Sequence, residues 1–349
     1  MSPRPASGTR AAWIDLAGRF LALVLVFAFF ALLVEDGKFC TLRNLENIMR
    51  QSAVYAMAGL GMTLVIILAG IDLSLGSMIA LSVIAASAVL NLGGGGAGAA
   101  TAGASEGDNL VYARPVLVPL AAAAAGILAG AAAGLLNGGL VVGLRLVPFI
   151  VTLGTMGAIR GVAKGIARER DLYPPEGAWI GRLMDPVADG EGWLLPAGIW
   201  MLLAGAAAMA FVLRHTRFGR HVFAIGSNEE TARLCGVPVG RTKLLVYTLC
   251  GLFCGIAGLL QFSYIGGVGQ PTTAVSYELF IIAAVIIGGA SFNGGEGSIL
   301  GTLLGALTIT VLYTGGQQMG WPKWVQEMVI GAIIILAVAL DRLRHRRPS

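Results

Sequence analysis

Charged residues make up only 12% of this 349-residue chain, against 56% hydrophobic residues. A soluble domain averages about 25% charged residues, so the polar surface that a water-facing fold needs is missing. Histidine is scarce too. The three, His215, His221 and His345, all fall in or beside basic segments. A serine hydrolase working inside the bilayer would need a His near its nucleophile. No apolar span offers one, so Ser291 in G-G-A-S-F-N-G is not read as a nucleophile. There is no H-E-x-x-H pair and no G-x-x-x-x-G-K-[ST] loop, since the Gly37-Lys38 pair runs on into Phe39. The chain is therefore expected to be no enzyme, with no metal site and no cofactor of its own; any ATP that drives it binds another chain. Four cysteines, Cys40, Cys235, Cys250 and Cys254, suggest no disulfide framework. Cys250 and Cys254 sit four apart on a helical stretch, as small apolar side chains would.

What is present is apolar sequence in span-length runs. Mean hydropathy is +0.79. The 51 glycines suit close helix packing in lipid, where small residues let backbones approach. At about 20 apolar residues per crossing, about ten spans are expected, near 13–34, 50–70, 73–92, 116–143, 147–166, 194–213, 242–265, 277–292, 297–318 and 325–341. The eighth and ninth are short and interrupted by glycine. The apolar run 20–34 meets Glu35-Asp36 rather than a small-residue cleavage site, so it is read as an uncleaved first span. The fold class is all-α, a polytopic membrane bundle, and the chain 1–349 forms one membrane domain.

Basic residues cluster at Arg4 and Arg10, in the 214–243 loop and at Arg342, Arg344, Arg346 and Arg347. Flanking membrane spans, they are explained by the positive-inside rule, and no nucleic-acid role is needed. With both termini cytoplasmic, six crossings bring the chain inside at 214. The 167–193 loop then falls outside. It carries six acidic residues against three basic ones, with Trp179 and Trp193 suited to an interface. The Gly/Ala-rich 91–115 segment reads as a flexible outside linker.

Asp72 lies in A-G-I-D-L-S-L-G-S between two spans. A carboxylate is costly in lipid and should face a cavity, a partner or water. Asp72, Ser74 and Ser77 form a polar break that either lies near a transport route or, through Asp72, caps the following helix. The same pair of readings holds for Asn293 and Glu296 in S-F-N-G-G-E-G-S. A faint echo links V-I-I-L-A-G-I-D-L-S-L-G-S-M-I (65–79) with V-I-I-G-G-A-S-F-N-G-G-E-G-S-I (285–299); interrupted, internally repeated helices often line a transporter's path, though glycine-rich apolar runs also resemble one another by chance. Glu278 in a first helical turn suits the helix dipole. Gln261, Tyr264 and Gln270 could hydrogen-bond a polyol.

The most structured polar stretch is 215–243. Asn228 is a candidate N-cap for a short helix over 229–235, with Glu229 and Glu230 in its first turn and Gly236 as a left-handed stop before Pro238. Ala232 would allow close approach on one face, and Arg217, Arg220 and Arg233 add positive charge. Caps at both ends predict a fixed shape, as a docking surface for a soluble partner requires.

With these residues in view, the chain resembles the membrane permease of ribose-type (monosaccharide) ABC importers. Three motifs carry the resemblance: N-L-E-N-I-M-R-Q-S-A-V-Y-A-M-A-G-L-G-M-T-L-V-I-I-L-A-G-I-D-L-S-L-G-S (44–77), R-H-T-R-F-G-R-H-V-F-A-I-G-S-N-E-E-T-A-R-L-C-G-V-P-V (214–239) and Y-E-L-F-I-I-A-A-V-I-I-G-G-A-S-F-N-G-G-E-G-S-I-L-G-T-L-L-G-A (277–306). It covers roughly 40–90 and 130–340, and implies a subunit of the bacterial inner membrane. The resemblance implies further that a second copy pairs with the first, that a separate ABC ATPase subunit docks on the cytoplasmic loop, and that a periplasmic sugar-binding protein delivers solute. The coupling role would fall to Asn228, Glu229, Ala232, Arg233 and Gly236. The 91–115 and 167–193 loops depart from the family pattern. A permease for a nucleoside or autoinducer would share these motifs; an ion-coupled secondary transporter would need no docking loop.

Overall fold

A computed structural model describes residues 7–93, 114–187 and 195–345. Most of the 91–115 segment and Trp193 lie outside the described residues. Twelve α-helices follow one another in the described chain: α1 (Ser7–Leu33), α2 (Leu42–Ile67), α3 (Leu75–Gly93), α4 (Leu117–Gly143), α5 (Pro148–Ala167), α6 (Ala197–His215), α7 (Arg217–Ser227), α8 (Glu229–Leu234), α9 (Val239–Tyr264), α10 (Tyr277–Ile287), α11 (Ile299–Gln318) and α12 (Lys323–His345). The only strand-like pairing among the described residues is one bridge, Leu172 with Gly269. The architecture is an all-α polytopic bundle.

Seven helices, α2 to α6 with α9 and α11, are long and apolar enough to cross a bilayer; Ala17–Leu33 and α10 are shorter apolar stretches. Ten crossings is therefore an approximate figure. The eleven residues of α10 rise about 16 Å, roughly half of a hydrocarbon core about 30 Å thick. The non-helical chain before α10 makes up part of that distance. Backbone without helix is tolerated at such depth only where protein satisfies it. Arg160 of α5 does so here, donating to the carbonyls of Pro271 (3.2 Å), Thr273 (2.5 Å) and Ala274 (3.4 Å).

The centre of the bundle is α2, whose last fifteen residues, 53–67, are all buried. Glycine sets how closely its neighbours approach. A Cβ placed on Gly61 would lie 2.6 Å from the Cα of Cys250 in α9. On the far side of α9, Gly130 and Gly134 of α4 meet Gly251 and Gly255, where added Cβ atoms would stand 2.7 to 2.9 Å from backbone. This is the backbone-to-backbone approach that small residues spaced by four permit in lipid. Residues turned away from this core are large and apolar: Leu128 and Leu135 of α4, Phe149 and Leu153 of α5, and Phe211 of α6 are exposed. Such side chains would be a liability in water and suit acyl chains.

Several buried polar groups inside the bundle pair between helices. The hydroxyls of Thr63 (α2) and Thr302 (α11) stand 2.6 Å apart, so one donates to the other while the second donates to its own backbone, the Gly59 carbonyl at 2.7 Å or the Ser298 carbonyl at 3.1 Å. The acidic loop folds onto the end of the bundle away from α7 and α8. Met184 donates its amide to Ser263 Oγ at 2.7 Å, and Val187 donates to Glu46 Oε1 at 2.9 Å.

Candidate functional site

The polar island folds as two helices, not one. Thr216 caps α7, its Oγ1 accepting the Gly219 amide at 3.2 Å. Asn228 caps α8, its Oδ1 accepting the Thr231 amide at 2.8 Å. At the other end Gly236 is left-handed, φ +80°. Val237 N–H then closes back on the Ala232 carbonyl at 3.0 Å, the closure that stops a helix. The expected helix over 229–235 thus stands with its bounds at Glu229–Leu234. Residues 217–227, expected only as charged loop, form α7; the cap at Thr216 and the apolar Val222 and Ile225, both buried, were the available signal.

Ala232 is buried against the bundle at 5% exposure, whereas Leu234 is 89% exposed. The small residue therefore seats α8 on its own chain, and the outward apolar contact falls to Leu234, which the sequence reading passed over. Arg217, Arg220, Arg233 and Gly236 are also exposed. Glu229 holds α8 to the start of α9: its carboxylate meets Lys243 Nζ at 2.6 Å and Arg233 Nη2 at 2.9 Å. The Lys243 hydrogen bond is the largest cause that lowers the Glu229 carboxyl below its ordinary value, with the Arg233 contacts adding to it against partial desolvation. A depressed carboxyl stabilises the fold above the usual carboxylate range, and that contribution is lost as pH falls through its lowered value. Acidification is accordingly expected to reduce hydrogen-exchange protection of α8, normalised to an unfolded peptide at each pH. Glu229→Gln should abolish that pH dependence; an unchanged profile in the variant would refute the linkage.

The island rests on two helix breaks. Gly226 of α7 packs so tightly that a Cβ there would stand 2.6 Å from the Gly295 amide and overlap the Ile67 carbonyl. Gly295 itself donates to Ile67 O at 2.8 Å. The break after α2 and the break after α10 are thus joined to each other and to α7. The echo between 65–79 and 285–299 is a structural correspondence. Gly70 donates to Val65 O at 2.9 Å and Ala290 to Val285 O at 3.1 Å, with Ala69 (φ 58°) and Gly289 (φ 84°) left-handed at the matching positions. A second helix follows each break, after 68–74 in one case and after 288–298 in the other.

The first break climbs into the bundle. Gly70 lies beside the hydroxyl of Tyr247, 2.9 Å from an added Cβ, and Gly76 lies beside Ala274 and Glu278. Asp72 is fully buried on this path. Its Oδ1 accepts the Ser74 amide (2.8 Å) and hydroxyl (2.6 Å), and its Oδ2 accepts from Asn137 Nδ2 at 3.3 Å. Asn137 of α4 also donates to Ser74 Oγ at 2.8 Å. Asp72 therefore does not cap α3, as one reading of the sequence had it; it accepts from the residue before that helix and is pinned by a helix 65 positions away. Ser77 is buried beside it, its hydroxyl without a partner among the described residues. Asn293 and Glu296 sit instead on the exposed loop near α7, so the five polar residues fall into two groups, one on each helix break. Asp72→Ala would orphan the buried Ser74 amide, at about 1–3 kcal/mol. A lowered melting temperature of the purified protein is expected, and Asp72→Asn should lose less.

At the opposite end of the bundle a cavity of about 300 Å³ opens between the 270–277 segment, α9, α11 and the start of α12. Among the described residues no group of three or more His, Cys, Asp or Glu could hold a metal ion.

These features (twin breaks, a capped polar island and a glycine-tight bundle) span the region that matches one known family. Residues 44–338 match the model of the branched-chain amino acid transport system / permease component. The chain belongs to that family. It is a multi-pass protein of the bacterial inner membrane and a transport subunit, not an enzyme. It is 35% identical to the ribose import permease protein RbsC of Escherichia coli K12, over 99% of this chain and all of that one. It is 34% identical to the galactose/methyl galactoside import permease protein MglC of Salmonella typhimurium, over 96% of each chain. The D-allose transport system permease protein AlsC of Escherichia coli K12 is 32% identical, over 94% of this chain and 92% of that one. No solved structure matches the chain.

Proposed function

We propose that this permease forms the path for a monosaccharide entering the cell, driven by ATP hydrolysis in a separate subunit gripping α7 and α8. The relatives named for ribose, galactose and allose import support a sugar as cargo. The physical support for coupling is the seating of α7: through Gly226 any displacement of the island bears on Ile67 and Gly295, the two points where broken helices meet. A short capped helix is stiff enough to carry such a push. On this reading the α7–α8 end is cytoplasmic, and α1 begins there too, since Arg19 reaches Gly289 and Gly301. Both termini are then inside and the acidic loop outside, where a sugar-binding protein would dock. A second copy of the chain completes the path.

The test is a reconstituted assembly of permease, ATPase and binding protein. Sugar-loaded binding protein should stimulate ATP hydrolysis and labelled sugar should enter the vesicles. The exposed Cys235 should react only with reagents on the ATPase side. Uptake by the permease without its ATPase, or labelling of Cys235 from the opposite face, would overturn the proposal.

A further inference from the structure

The cavity opposite α7 and α8 has a mixed lining, Gln261, Gln270 and Gln326 beside Ile265, Val275 and Phe280, inside a lipid-facing bundle. At about 300 Å³ it sits at the small end of ligand pockets, the size for a single small solute. Its floor is half-way along the central helix, because Tyr277 and Phe280 pack on Tyr55 of α2 at 4.8 and 5.7 Å between ring centroids. Its mouth is at the beginning of α12, beside Lys323 and Glu327.

Three independent features mark it as built for a ligand. Gln261 is buried and held in place: its amide donates to Thr273 Oγ1 at 3.0 Å, and Tyr277 Oη donates to its carbonyl at 3.5 Å. Gln326 lines the same space, 5% exposed, with its Oε1 buried and without a partner among the described residues. An acceptor left so in an apolar surround is costly until a donor reaches it. The wall between them contains Ala274 (φ 56°) and Ser276 (φ 67°), left-handed residues that are not glycine. Backbone of that kind concentrates at ligand clamps and switches, where the surroundings over-determine it. Here Arg160 does the holding, through its three carbonyl contacts.

We infer that this cavity binds a small neutral polyol, a monosaccharide, as the permease's own site on the outer half of the path. Side-chain amides both donate and accept, which matches a ring of hydroxyls. The faces of Tyr277 and Tyr313 can cover the sugar's C–H surface. Among the residues that line the cavity the charged ones are Lys323 and Glu327, 3.9 Å apart at the mouth, and Arg160 spends its guanidinium on the wall's carbonyls, so the lining offers an ionic solute no counter-charge within. This identification of the ligand rests on the function proposed above.

Full-length permease in lipid nanodiscs should show saturation transfer to D-ribose, D-galactose or D-allose protons. Gln261→Leu, and independently the less buried Gln270→Leu, should weaken binding about tenfold, the loss of one neutral hydrogen bond to a sugar hydroxyl. No transfer to any of the three sugars, or equal binding in both variants, overturns the inference. Uptake by the reconstituted assembly separates the two claims. Sugar that binds but is not taken up with ATP leaves the cavity standing and sinks the proposed function. Uptake unaffected by both substitutions leaves the function standing and sinks the cavity.

Discussion

Ala232→Trp in α8 is expected to abolish sugar uptake by the reconstituted assembly while the permease still reaches the membrane in normal amount. Ala232 is 5% exposed and faces its own bundle, so an indole there must lift α8 away from its seat. Overpacking of this kind costs about 1–3 kcal/mol, and a six-residue helix has little else to hold it. A graded companion comes from Gly236. An added Cβ there meets nothing within 4 Å, so the constraint is conformational, not steric. A branched residue at φ +80° costs about 1–2 kcal/mol relative to glycine, which is roughly a 5–30-fold shift away from the capped form. Gly236→Val should therefore reduce uptake strongly. Gly236→Asn should be nearly silent, and Gly236→Asp should fall between them, since short polar side chains visit the left-handed region more readily. Wild-type uptake in both Ala232→Trp and Gly236→Val would show that α8 transmits nothing.

Gly134→Leu and Gly251→Leu should have the largest effect on stability. Each glycine meets the other across the α4–α9 contact, with an added Cβ at 2.8 to 2.9 Å from the facing backbone. Backbone cannot move aside as a side-chain tip can, so the helices must part along the seam and forfeit dispersion contacts on both sides. We expect little protein to survive detergent extraction, and what survives to melt at a markedly lower temperature. Gly139→Ala on the same helix, where a Cβ meets nothing within 4 Å, should be neutral or slightly stabilising, because alanine favours a helix over glycine by about 1 kcal/mol. Equal melting temperatures for Gly134→Leu and Gly139→Ala would refute the role of this seam.

Features that depend on a few consecutive residues could be read directly from the chain. Span-length apolar runs report the cost of exposing backbone to lipid, which each segment meets on its own by forming a helix. The Asn228 cap and the Gly236 stop are equally local: each hydrogen bond closes within five positions. Family membership was legible as well, since all three quoted motifs lie within the matched residues 44–338. The eighth crossing was harder to place. A pattern of apolar residues over 277–292 cannot show that helix ends at Ile287, or that Arg160, more than a hundred positions earlier, satisfies the chain before it.

Distance along the chain thus separates what sequence alone determined from what tertiary structure decided. Membrane class, helical architecture, and the caps of α8 followed from residues close enough to bond one another in any compact state. Which glycines face each other, how Asp72 meets Asn137, why Gly226 seats α7 on two helix breaks, and which polar residues share the outer cavity were settled only by packing. In a bundle where nearly every surface is apolar, hydrophobicity does not distinguish one helix face from another. Shape and a few buried hydrogen bonds do, and those become defined only when the partners arrive together.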